Sequence, residues 1–196
     1  MGLNLNLEDQ LVFYGAYHSN PINKGIIWSL LVWLAAAGPL APLPQAPALA
    51  AALARLPPWL ASGVAINLPF LVFSGYSLFY LALDPLAGLS WAAAVGLPLA
   101  VTATAFQSTV ANAAWWALGV QVLSWWAQIH PGHAICEGRK PALMDSLVQA
   151  FLLAPLFVWF ELLFPLGYRP KLRAELERRV DKEIAAWKRS QLRKAS

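Results

Sequence analysis

Apolar residues arrive in long blocks in this chain, separated by short polar islands. The blocks cover residues 25–43, 59–83, 86–106, 110–127 and 143–166. Each is close to the ~20 apolar residues that an α-helix needs to cross a bilayer's hydrocarbon core. Prolines and polar residues divide them: Pro39 and Pro42 close the first, Asn67 and Pro69 interrupt the second, and Asp84-Pro85 predicts a tight turn before the third. Residues 44–58, rich in Ala and Pro, read as a spacer. The fifth block carries Asp145, Gln149, Pro155, Glu161 and Pro165. An ionised carboxylate at mid-membrane costs about 2.5–3.5 kcal/mol on insertion scales. This segment therefore either crosses with its polar side chains turned inward or dips in and returns.

The flanking patterns are different. Residues 6–18 predict a short amphipathic helix, with Asn6 as cap, Glu8 and Asp9 at the positive end of its dipole, and Leu7, Leu11 and Tyr14 on one face. Residues 170–194 predict a second amphipathic helix: Leu172, Leu176, Val180, Ile184 and Trp187 recur at helical spacing among Arg and Lys. Such a helix either lies on an anionic leaflet or packs against the rest of the protein.

Composition moves the chain out of the ordinary soluble class. Apolar residues make up 59% and charged residues 12%, against roughly 25% charged in a typical soluble domain. Ten of the 14 Lys and Arg lie in the last 28 residues beside four acids. That leaves the tail at +6 and the body at −2. A basic tail on an apolar body suits a membrane surface, and nucleic acid is not an expected partner. The start of the chain lacks the basic region of a cleavable signal. The expected fold is all-α: an integral membrane helical bundle with four spanning helices, a fifth re-entrant or spanning hydrophobic helix, and amphipathic N- and C-terminal helices. The charge boundary predicts a membrane-embedded domain over 1–168 and a basic helix over 169–196.

Four blocks separate the island around His18 from the island Gln128-Ile129-His130-Pro131-Gly132-His133-Ala134-Ile135-Cys136-Glu137-Gly138-Arg139-Lys140. An even number of crossings returns the chain to its starting side, so both islands share one face. Basic Arg139, Lys140 and the tail favour the cytosolic side, with the fifth block re-entrant. His130 and His133 lie on one side if the segment is helical, and a tight turn at Pro131-Gly132 also brings two imidazoles together. Glu137 is in reach of the same face. Imidazoles with a carboxylate and open positions suit non-haem Fe(II); zinc suits the same donors. Ordinary interfacial histidines are the competing reading. Cys136 reads as a small buried residue. Arg139 is a candidate charge-assisted donor for an acidic head group, with interfacial anchoring as the other reading and the favoured one for Lys140; Asp145 and Glu161 are candidates to orient ligand histidines, and Asp145 equally reads as a cap of the next helix.

Two segments carry a resemblance. Leu7 to Lys24, through Tyr14-Gly15-Ala16-Tyr17-His18-Ser19-Asn20-Pro21-Ile22-Asn23, is similar to the opening of the Mpo1-like family. Gln128 to Leu147 and Ala154-Pro155-Leu156-Phe157-Val158-Trp159-Phe160-Glu161 resemble its second block. The resemblance implies a multi-pass protein of the endoplasmic reticulum membrane. It further implies an Fe(2+)-dependent dioxygenase that uses molecular oxygen to shorten a long-chain 2-hydroxy fatty acid by one carbon, in alpha-oxidation and phytosphingosine breakdown. Carried over residue by residue, the metal ligands are His18, His130 and His133, with Arg139 and Glu137 as catalytic candidates. One position departs from the pattern: Ile27 stands where the family usually has a further histidine. Two other readings stay open, a catalytically impaired lipid-binding or scaffold relative and a zinc-dependent lipid hydrolase with Glu137 as water-activating base.

Overall fold

The computed structural model describes residues 5–22, 51, 52, 54–58, 68–138 and 147–195. Among them all regular structure is helical: α1 (Leu7–Tyr17), α2 (Leu68–Leu83), α3 (Pro85–Trp91), α4 (Leu97–Thr109), α5 (Ala113–Ala127), α6 (Leu147–Leu163) and α7 (Pro170–Ala195). Two π-helical stretches, Ala92–Gly96 and Gln128–Glu137, complete the described elements. The chain forms two compact units, one of residues 1–28 and 127–196, the other of residues 29–126. The boundary expected at 168/169 falls inside the first unit.

In the first unit α1 packs against both α6 and α7. Asn6 caps it, accepting from the Asp9 amide at 3.1 Å. The sequence predicts a short amphipathic helix here, and in the structure α1 is buried on most of its circumference, beyond the one face of Leu7, Leu11 and Tyr14: Gln10, Val12, Gly15, Ala16 and Tyr17 are inside as well. The physical reason is small residues where two partners approach. A Cβ on Gly15 would stand 3.0 Å from Val180 Cγ2 and 3.3 Å from Phe157 Cε2, so only glycine admits α6 and α7 this closely. An ion pair fixes the register of α7 on α1. Arg179 Nη2 lies 2.7 Å from Asp9 Oδ1, and Arg179 Nη1 lies 3.7 Å from Glu8. Leu172 and Leu176 are buried. The amphipathic helix of the C-terminal segment is therefore a packed element of this unit, with pairs Arg173–Glu177 and Arg178–Glu175 along its solvated side.

In the second unit α2 packs on α3. The turn at Asp84-Pro85 is a helix start. Asp84 accepts from the Ala87 amide at 3.0 Å, and Pro85 fills the first turn, where its missing N–H costs nothing. Trp91 and Tyr80 are fully buried edge to face, 4.8 Å apart. α3, the π-stretch and α4 form a 25-residue helix, Pro85–Thr109, with mean hydropathy 1.6. Among the described residues this helix alone is long and apolar enough to cross a membrane; Pro69–Leu83 and Phe151–Leu163 are apolar but shorter. The block at 25–43 lies outside the described residues.

Candidate functional site

The two polar islands meet in the first unit. His18 follows the last turn of α1, and its backbone N–H caps that turn on the Gly15 carbonyl. Its ring is 3% exposed. Tyr14 stacks on one face at 4.0 Å with an interplanar angle of 12°. Phe157 of α6 lies 6.4 Å from the same ring. The Nδ1 of His18 lies 3.0 Å from the Tyr14 carbonyl oxygen. A carbonyl only accepts, so Nδ1 carries the proton and Nε2 is the basic nitrogen. Histidines that ligate metals are commonly oriented in this way by a backbone carbonyl. Burial in this apolar packing pushes the Tyr14 phenol well above the ordinary tyrosine range, so the ring beside His18 stays neutral.

His133 comes from the other end of the sequence to the same place. It is also 3% exposed, and its ring meets that of His18 edge to face, 4.7 Å between centroids. His133 makes contacts elsewhere, but its Nδ1 is buried without a hydrogen bond of its own. A tight turn was one expectation for Pro131-Gly132; the structure has a ten-residue π-helix with Pro131 inside it. Proline lacks the N–H that an α-helix would use and clashes with the carbonyl four residues back. The wider π winding accommodates it. The same winding turns His130 and His133 farther apart than α-helical geometry would. His133 is buried and His130 is exposed. Gly138 ends the stretch in the left-handed region at φ 59°, donating to the His133 carbonyl.

Glu137 reaches across to the residues after His18. Ser19 Oγ donates to its Oε2 at 2.9 Å and the Asn20 amide donates to its Oε1 at 2.7 Å. Cys136 is half-buried rather than buried. Arg139, Lys140, Asp145 and Ile27 lie outside the described residues. Among the described residues no three His, Cys, Asp or Glu side chains are grouped closely enough to hold an ion. Two imidazoles converge, one with its tautomer set by a carbonyl, and this donor chemistry fits a divalent transition metal. The third expected donor, His130, does not join them here.

A cavity of about 370 Å³ opens beside His18. Its walls come from α1, α6 and α7: Phe157, Phe164, Leu176, Val180 and Ile184 are apolar, while Glu161, Arg173, Glu177 and Asp181 are charged. Sequence reasoning missed Arg173, Ser19 and Asn20. Helical periodicity places Arg173 on the solvated side of its helix, where it lies, and does not show the cavity that this side borders. The Ser-Asn-Pro sequence reads as a helix breaker, and nothing local to it shows the distant carboxylate.

These features define a class: an all-helical protein whose first helix and a distant π-helix bring two buried histidines into ring contact. The chain matches the family described as 2-hydroxy-palmitic acid dioxygenase Mpo1-like over residues 5–166, and it belongs to that family. It is 33% identical over 173 residues to the 2-hydroxy-palmitic acid dioxygenase MPO1 of Saccharomyces cerevisiae, an alignment covering 88% of each chain. No solved structure is a significant match.

Proposed function

We propose that this chain is a membrane-embedded, Fe(II)-dependent dioxygenase that shortens a long-chain 2-hydroxy fatty acid by one carbon, in alpha-oxidation and phytosphingosine breakdown. The observation that carries the proposal is the meeting of His18 and His133, more than a hundred positions apart in sequence, in a buried pair of rings. The yeast relative's name, a 2-hydroxy-palmitic acid dioxygenase, supports the substrate class.

His18 and His133 are the residues that would hold the iron, with His130 the third candidate. Ferrous iron, when bound, supplies the one-electron chemistry that lets dioxygen react with a closed-shell organic substrate. The protein's part is placement. Tyr14 holds the His18 tautomer through its carbonyl and keeps water off the ring by stacking. Arg139 is the proposed partner of the substrate carboxylate, and Arg173 is a cation already beside the cavity next to His18. The reaction balances with one dioxygen per substrate. The C1–C2 bond breaks, C2 becomes the carboxyl of the shorter acid, and C1 leaves as carbon dioxide with one water formed.

The membrane setting belongs to the same proposal: four crossings, a fifth hydrophobic helix, and residence in the endoplasmic reticulum. It is supported by large apolar side chains on the apolar helices that face outward, among them Trp115 at 74% and Trp116 at 64% exposure, with Leu78, Leu86, Leu89 and Leu123. Large apolar side chains exposed in such numbers are what a lipid-facing surface presents.

Oxygen uptake by detergent-purified protein with ferrous iron and 2-hydroxypalmitate tests the activity. One oxygen per substrate, with loss on His18→Ala and on His133→Ala, is the expected result. A second reading, a lipid-binding relative without turnover, is favoured by Ile27 and by the absence of a three-donor group among the described residues. If neither the protein nor its Ile27→His variant consumes oxygen while both are folded and bind the fatty acid, this second reading replaces the first.

A further inference from the structure

We infer that Glu137 is a positioning residue whose carboxylate latches the segment after His18 to the helix that carries His133. This rests on the reading of the two histidines as ligands and assigns the role of a third residue beside them. Three hydrogen bonds cross between the two segments. Ser19 Oγ and the Asn20 amide each donate to one oxygen of Glu137, at 2.9 and 2.7 Å. The Asn20 Nδ2 donates to the Cys136 carbonyl at 3.0 Å. Asn20 is itself fixed, because its Oδ1 accepts from the Ile22 amide at 2.9 Å and closes a local turn. His18 is the residue immediately before this latch, and His133 lies one turn before Glu137 on the π-helix.

The consequence is geometric. The backbone that follows His18 is otherwise a helix end, the part of a chain most prone to fray. Bonds to a charged acceptor are roughly twice as strong as neutral ones. They are made here directly after His18, where a shift of the segment would carry its ring away from His133. With each of its oxygens accepting from this segment, Glu137 acts by holding the imidazoles in place.

Glutamine separates the two roles. Its amide oxygen accepts from the Asn20 N–H and its NH2 donates to Ser19 Oγ, so Glu137→Gln keeps the latch without the charge. Glu137→Ala removes it. The first measurement needs no metal. The chain has three histidines, so imidazole-labelled NMR of the metal-free protein gives three resolvable ring signals. Expected is that Glu137→Ala moves the His18 and His133 signals and Glu137→Gln leaves them. The second measurement is anaerobic titration with Fe(II). Expected is binding about 10- to 100-fold weaker for Glu137→Ala, the usual loss for an orienting partner, and within about threefold of the parent for Glu137→Gln. Should Glu137→Ala prove too unstable to study, Ser19→Ala removes one arm and should give a smaller shift in the same direction. Unmoved ring signals in the alanine variants overturn the latch. So does a glutamine variant with native ring signals but alanine-like iron binding, since the charge itself is then required. If the ring signals move as expected but no variant, nor the parent, binds iron, the latch stands and the iron-dependent reading fails.

Discussion

The packing of α1 on α7 makes a prediction whose sign depends on the background. Gly15→Ala adds one methyl group, which would lie 3.0 Å from Val180 Cγ2 and 3.3 Å from Phe157 Cε2. Carbon atoms in ordinary contact sit about 3.5–4.0 Å apart, so both neighbours must retreat by several tenths of an ångström. Val180 is β-branched and on a helix, where its χ1 is nearly fixed, so it cannot swing aside. Phe157 is 3% exposed and packs on Tyr14 at 4.9 Å. Overpacking of this kind costs about 1–3 kcal/mol. Against it stands a gain of about 1 kcal/mol for replacing glycine inside a helix. The net is a loss of about 1 kcal/mol, a fall in Tm of roughly 2–4 °C for a chain this size. Val180→Ala removes the nearer obstruction. In that background Gly15→Ala should be neutral or stabilising, a coupling of at least about 1 kcal/mol between the sites. Thermal unfolding of the four proteins in one detergent, at one scan rate, measures this. Equal losses from Gly15→Ala in both backgrounds would falsify the close approach of α7 to α1 at this point.

Three further outcomes follow from the structure. Tyr14 holds its proton in the folded state above the pH where an unfolded tyrosine, with pKa near 10, releases it. Folding is therefore unaffected below pH ~10 and loses stability above it, by up to about 1.4 kcal/mol per pH unit; Tyr14→Phe should flatten that part of a pH–Tm profile. A Cβ on Gly88 would stand 2.5 Å from the backbone of Tyr80 and Leu81, and backbone cannot turn aside. Gly88→Ala should thus cost about 2 kcal/mol, the top of the overpacking range at about 3 less a helix gain of about 1, and a Tm within a degree of the parent would refute the α2–α3 approach. Arg179→Gln breaks a partly exposed pair with Asp9 and should cost no more than about 1 kcal/mol. That cost should shrink in 1 M salt, and an undiminished loss would point to packing as its source.

Local chemistry in the sequence determined the elements. Asn6 marks a helix start that the structure keeps, the turn read at Asp84-Pro85 becomes a second helix start, the described parts of the apolar blocks are helical, and the spacing of Leu172, Leu176 and Val180 marks a helix face. These features depend on neighbours within one or two turns, where backbone hydrogen bonding and side-chain periodicity act. The choice of His18 and His133 also came from the sequence, as two of its three histidines inside two polar islands. What the chain alone did not reveal is which surfaces those helices bury. α1 reads as amphipathic but sits between α6 and α7, because Gly15 lets two partners approach at once and nothing in an 11-residue segment says how many will. Nor did spacing decide how the second island is wound. His130 and His133 are three positions apart in any conformation, but the π-helix around Pro131 buries one ring and exposes the other. The contact of His18 with His133, and of Ser19 and Asn20 with Glu137, joins residues more than a hundred positions apart. Such contacts exist only after the helices have packed, since no short-range preference encodes them.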